Sequence, residues 1–186
     1  MRKSIGLFLA FSSILFFSCS LKYGSTVSVE DVVPEFSFED AKYTRVEDGK
    51  VSFYLEAGKL EQYKNSSATY AKDVDFTVYE DGELSVTGKC GYLSADTKTE
   101  IYNLHDDIYI DSVEKDLKVK GKNLKWNGKT EQLVSGRTDN VTVETSEVKV
   151  MGSGFSASGV SNSYEFSAMV SGDIETKDEE NEKNDS

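Results

Sequence analysis

Val148–Ile174, VKVMGSGFSASGVSNSYEFSAMVSGDI, is the stretch whose reading decides the fold. Val148-x-Val150-x-Gly152-x-Gly154 leads out, a polar turn follows, and Phe166 through Val170 to Ile174 leads back. Alternation with a period of two places one face of a strand against apolar neighbours and the other in water. The same unit recurs upstream. Val51-x-Phe53-x-Leu55-x-Ala57 is followed 33 residues later by Leu84-x-Val86-x-Gly88-x-Cys90. Another 33 residues on comes Leu117-x-Val119-x-Gly121-x-Asn123, and the last copy follows after 31. Leu60, Leu93 and Trp126 trail the first three copies. The returning strands carry Val74/Phe76/Val78, Ile108/Ile110 and Val141/Val143 before Phe166. Asp48-Gly49, Glu80-Asp81-Gly82 and Glu114-Lys115-Asp116 mark turns between runs. No helical period interrupts the pattern, so the expected fold is all-β. A continuous sheet of repeated antiparallel strands and a packed β-sandwich both satisfy it.

Working outward, Glu35–Arg45 reads as a first strand after Pro34, and residues 34–176 as one β-domain. Ahead of it lies a secretory leader: Arg2 and Lys3, the apolar run Ile5–Phe17, then Ser18-Cys19. The cysteine at that boundary points to a signal peptide over 1–18, lipidation at Cys19 and a tether over 19–33. The alternative is an uncut membrane anchor, since about 18 apolar residues is the lower limit for a span. Cleavage without lipidation is a third course. Each exports the domain from the cytoplasm. Removing Arg2 and Lys3 with the leader takes the net charge from −12 to −14, which excludes nucleic acid as a partner. Residues 177–186, KDEENEKNDS, contain no aliphatic or aromatic side chain and read as a disordered acidic tail.

Catalytic chemistry has little to build on. His105 is the only histidine and is expected in an exposed polar turn before Ile108. No nucleophile elbow accompanies it. One histidine and the two cysteines, Cys19 and Cys90, do not make a zinc cage, and the acidic pairs lack calcium-loop spacing. The glycines are not gathered before a helix to cradle a phosphate. The expectation is a protein without catalytic residues, metal or cofactor, with Cys90 as a small buried hydrophobe.

Attention therefore falls on the inner face. Gly88, Gly121, Gly152 and Gly154 share the parity of Phe53, Val86, Val119 and Val150. Glycine within a strand marks a bend, a bulge or a close approach. Repeated in register, it describes a curled sheet with an apolar furrow that suits an extended acyl chain. The competing reading is that the glycines merely let a sandwich twist.

Pro34, Phe36, Phe38 and Tyr43, then Asp48-Gly49 and Phe53-x-Leu55-x-Ala57, resemble the start of the LptC-type periplasmic proteins of lipopolysaccharide export. Val150–Ala157 followed by Tyr164-x-Phe166 is similar to that family's C-terminal signature. The likeness spans Pro34–Ile174 and implies a twisted, V-shaped β-jellyroll, or β-taco, whose interior carries lipopolysaccharide acyl chains. It implies a lipid groove lined by Ala41, Phe53, Leu55, Tyr70, Phe76, Val78, Val86, Ile108, Ile110, Val119, Val141, Val143 and Phe166. Ala41 and the Tyr70–Ala71 region match positions along the family's lipid path, and Gly152 matches a family glycine near the C-terminal edge. Gly152, Gly154 and Phe155 are accordingly expected at the edge that joins an LptA-like jellyroll by strand addition. The N-terminal edge would dock on the periplasmic domains of an LptF/LptG-type ABC transporter. The resemblance implies a periplasmic location, anchored to the inner membrane. Two departures stand out: proteobacterial members keep an uncut transmembrane helix where this chain has Cys19, and a charge of −14 is uneven company for an anionic lipid, leaving a related glycolipid open as cargo. The rival function is a surface-exposed structural or adhesive β-sandwich lipoprotein; a hydrolase ranks behind both.

Overall fold

The computed structural model describes residues 33–64, 66–161 and 163–174. The leader, Cys19, most of the tether and the acidic tail lie outside the described residues. All regular structure within them is β. The strands are β1 (Phe36–Glu47), β2 (Lys50–Gln62), β3 (Ala68–Glu80), β4 (Glu83–Asp96), β5 (Ile101–Ser112) and β6 (Leu117–Asn127). Then follow β7 (Gln132–Ser135), β8 (Asn140–Glu144), β9 (Val148–Ser158) and β10 (Ser163–Ile174). They form one antiparallel sheet, β1 to β6 in sequence order, then β7 and β8 end to end between β6 and β9, and finally β10.

The turns follow from their residues. Asp48-Gly49 and Asp81-Gly82 both have positive φ at each position, 50° and 79°, then 53° and 90°. Two consecutive left-handed residues are what a two-residue hairpin turn needs to match strand twist, and Asp-Gly supplies them at least strain.

β1, β3 and β5 are each irregular at mid-length. Asp40, Asp73 and Asp106 lie 33 residues apart and have φ of 49°, 52° and 58°. In β3 and β4 two successive residues separate the inward ones there, so the inward parity shifts by one; in β5 three do, and the parity is kept. In β3 the buried residues are Ala71 and Val74, with exposed Lys72 and Asp73 between. In β4 they are Cys90 and Leu93. In β5 they are Leu104 and Ile108, where Asp107 adds a further left-handed residue and the register to both neighbours shifts. Short polar side chains tolerate left-handed φ better than others. The breaks align across the sheet and crease it lengthwise into two arms whose apolar faces turn towards each other.

The core sits along this crease. Small residues occupy its β1 side, with Ala57 and Ala71 buried. Val74, Val141, Val143 and Phe155 in the middle and far strands are at most 2% exposed.

Three expectations are corrected. The third returning strand is split, because Gly136–Asp139 forms a turn closed by Asp139 N–H to Gly136 O at 3.1 Å; β7 precedes the expected Val141/Val143 strand. His105 is not in a turn. β5 runs straight through it, since the left-handed Asp106 and Asp107 absorb the bend without breaking the strand. Gly152, Gly154 and Phe155 are not at the sheet edge. They lie in β9, covered on one side by β7 and β8 and on the other by β10, because the chain after Ser158 turns back and pairs along most of β9.

Candidate functional site

The inner face is built by alternation from each turn to the crease. On the arm nearer the Asp-Gly turns, Phe53, Leu55 and Ala57 of β2 pair with Val78, Phe76 and Val74 of β3. These continue onto Val86, Gly88 and Cys90 of β4, and Ile110 follows beside Gly88. Ile110 and Ile108 meet Val119 and Gly121 of β6, which in turn meet Val143 and Val141 of β8. Leu55, Ile108, Val119, Val141 and Val143 are buried, whereas Ala41, Phe53, Phe76, Val78, Val86, Ile110 and Phe166 are half-buried.

An aromatic ladder runs along this arm. Tyr43 lies 6.2 Å from Phe53, and Phe53 stacks on Phe76 at 6.4 Å and 24°. The Phe76 ring lies across Gly88: a Cβ there would fall on its Cζ and within 2.7 and 2.8 Å of its two Cε atoms. The glycine that sequence parity places on the inner face thus makes room for an aromatic ring, and no void opens beside it.

The opposite arm carries Leu60, Leu93, Leu104, Leu124 and Leu133, with Tyr102 and Trp126 packed against the core. Reading the strands as unbroken alternation misses this arm. The three-residue steps Ala57 to Leu60 and Cys90 to Leu93 were the available signal that the phase shifts there.

Tyr70 belongs to neither arm's interior. It pairs between Thr69 and buried Ala71, points outward, and is 41% exposed. Its ring meets Tyr63 edge-on at 5.6 Å and its hydroxyl lies 3.3 Å from Ser66 Oγ. Of the Tyr70–Ala71 pair that the resemblance places along the lipid path, Ala71 is the member that lies inside. Phe155 is 1% exposed and packs on Phe166 at 5.5 Å, so it is core. The edge at this end is β10.

Exposure along the interior is graded. At the β1 edge Phe36, Phe38 and Tyr43 are roughly half-exposed although they share the inner parity. At the β10 edge Tyr164 and Val170 are again exposed. Between them the interior is closed by side chains.

Outward-facing charges form shallow networks. Lys42 and Glu56 pair at 2.6 Å, and the Tyr54 hydroxyl donates to the same carboxylate. Hydrogen bonding from Lys42, then from Tyr54, lowers the Glu56 pKa. Lys120 meets Glu144 at 3.3 Å. His105 Nδ1 is 3.0 Å from Asn123 Oδ1. Among the described residues no group of three or more His, Cys, Asp or Glu side chains is placed to hold a metal ion.

One sheet, creased into two apolar-lined arms and, among the described residues, left unpaired at the outer sides of β1 and β10, is the geometry on which the family comparison bears. Residues 5–175 match the family described as "Lipopolysaccharide-assembly, LptC-related". The chain belongs to the LptC family. No curated protein matches it closely enough to count as a relative. LptC proteins are transport components of lipopolysaccharide assembly, not enzymes. They work on the periplasmic side of a membrane to which they are anchored, with lipopolysaccharide, LptA-type proteins and an ABC transporter as general partners. Membership gives this chain that general role. No helix among the described residues is long and apolar enough to cross a membrane, and the leader lies outside them.

Proposed function

We propose that this LptC chain passes the acyl chains of lipopolysaccharide, or of a related glycolipid, along the furrow between its two arms. The β1 edge receives them from an LptF/LptG-type ABC transporter, and the β10 edge delivers them to an LptA-like jellyroll. The observation that carries this reading is the continuity of one apolar inner face between two 12-residue edge strands, β1 and β10, that have no outer partner among the described residues. Long unpaired edges invite aggregation and are kept where another strand is meant to join. Cys19 would tether the domain to the inner membrane, its lipid replacing a transmembrane helix.

Apolar contact contributes about 0.8 kcal/mol per buried methylene. It has no preferred register along a chain, so a lipid can be held and still slide. The closed centre means that passage spreads the arms, and the work comes from ATP hydrolysis in the partner.

Photocrosslinking from Phe53, Phe76 and Phe166, with Thr77 and Lys118 as outward controls, tests the furrow. Lipid adducts at the inner sites alone are the expected result. Adducts at no inner site overturn the conduit and favour the surface structural lipoprotein, for which the packed centre would simply be a core.

A further inference from the structure

Arg45 stands apart from every other cation of the strands. Lys42, Lys72, Lys89, Lys120 and Lys149 all alternate with inward residues and stand on the outer face. Arg45 pairs with Phe53 at the β1 edge, shares its inward parity, and lies over its ring with Cζ 5.9 Å from the centroid. Plain alternation puts it there: Ala41, Tyr43 and Arg45 face Ala57, Leu55 and Phe53 in unbroken register, and the β1–β2 pairing slips only beyond Arg45, where Ser52 is left over on β2.

The guanidinium also reaches across the furrow. In a flat sheet Arg45 would lie level with Ser112 of β5, through Phe53, Val78 and Val86. Tyr102 sits ten residues along β5 from Ser112, roughly 33 Å at strand rise. Yet the Tyr43 hydroxyl, and less strongly that of Tyr102, interacts with the guanidinium and raises its pKa against the opposing pull of desolvation. Only folding along the crease brings β1 and β5 together.

The missing element is an anion. The chain has 33 acidic residues, but among the described residues none forms an ion pair with Arg45. A half-buried guanidinium faced only by aromatic rings and phenol hydroxyls is incompletely compensated. Its planar fork matches two oxygens of a phosphate, and of its five N–H donors the two phenol hydroxyls and the stack on Phe53 leave some over for an anion.

We propose that Arg45 binds the phosphate headgroup of a phosphorylated amphiphile at the β1 rim, while the acyl chain lies over Phe53 and Phe76. The assignment rests on the furrow reading above and adds a polar anchor to it. It also answers the charge problem, since a protein of net charge −12 presents a cation where the anionic lipid arrives.

The test is isothermal titration calorimetry of the full-length protein with decyl phosphate, uncharged decyl maltoside and inorganic phosphate, each below any micelle-forming concentration. Arg45→Gln should weaken decyl phosphate about tenfold, the scale of one charge-assisted hydrogen-bonded contact. Arg45→Lys should keep part of the affinity, and decyl maltoside should be unaffected by either change. Equal loss for both amphiphiles, or none for either, overturns the assignment to Arg45 and leaves the furrow standing. If neither amphiphile binds the unaltered protein, the furrow fails and this inference with it. Inorganic phosphate binding as tightly as decyl phosphate would mean a free anion is the ligand, which overturns the headgroup assignment.

Discussion

Replacing Gly88 by alanine is the sharpest probe of how the inner face is built. The added methyl would meet Phe76 Cζ and lie 2.7 and 2.8 Å from the two Cε atoms, where ordinary carbon contacts begin near 3.5 Å. The ring cannot slide along the sheet, because Phe53 stacks on it at 6.4 Å from the neighbouring strand. It must tip into the furrow or push β3 from β4. Overpacking of this kind costs about 1–3 kcal/mol. With a urea m-value of about 2 kcal/mol per molar, the midpoint should fall by roughly 0.5–1.5 M. The decisive measurement is a double-mutant cycle with Phe76→Leu, which removes the ring but keeps an apolar side chain. Phe76→Leu should itself destabilise, yet in the Phe76→Leu/Gly88→Ala protein the alanine should cost little. That gives a coupling of about 1 kcal/mol or more. Additive losses, or a Gly88→Ala protein within about 0.5 kcal/mol of the original, would refute the claim that the glycine exists to seat the ring.

Two further outcomes follow from other parts of the sheet. Burial first, and the nearby Asp75 charge second, push the Cys90 thiol from 9.0 up to about 11. Its contribution to stability is therefore complete below pH 9 and declines by about 2–3 kcal/mol as pH rises from 9 to 11. Urea titrations of the protein and of Cys90→Ala should diverge in slope across that window, and parallel curves would count against it. Amides of Asn140–Glu144 in the short strand β8 should exchange with solvent faster than those of Val74–Val78 in β3, as hydrogen-exchange mass spectrometry would show.

Much of the sheet is legible in the sequence because the 33-residue offset carries turns and strands together. Asp48-Gly49 and Asp81-Gly82 fix two hairpins, and the apolar sets beginning at Val51, Leu84, Leu117 and Val148 do begin strands that leave from turns. What escapes is the crease. An aspartate with left-handed φ looks like any polar residue in an alternating run, so the inward set on its far side is counted one place out. Leu124 is overlooked for that reason, and Leu104 because His105–Asp107 reads as a turn where β5 in fact continues; Tyr70, placed by the resemblance, falls on the outer side of the same shift. The edge escapes for a different reason. Gly154 does have the positive φ, 64°, that marks an irregular strand, but the irregularity is accommodated under β10, where a side chain would collide with Ser167. Arg45 is passed over because a single basic residue near a hairpin turn normally faces water, yet alternation from Ala41 through Tyr43 carries it inward opposite Phe53.

The distribution of ladder and core also bears on how a closed interior could conduct. The tightest packing, at Val141, Val143 and Phe155, is on β8 itself and on the neighbouring β9, which pairs with β7 and β8. These strands have four and five residues, whereas every other strand has at least eleven. They are separated by Gly136–Asp139, so β6 and β9 are bridged there by two short ladders instead of one long one. Opening a short ladder breaks fewer cooperative hydrogen bonds than opening β3 from β4. The place where side chains most completely block the interior is thus the place where the backbone can yield most cheaply. On the proposed reading, a chain entering over Phe53 would meet its barrier at Val143, and the split strand would set the height of that barrier. A protein built only to hold a core would gain nothing by carrying its most buried residues on one of its shortest strands.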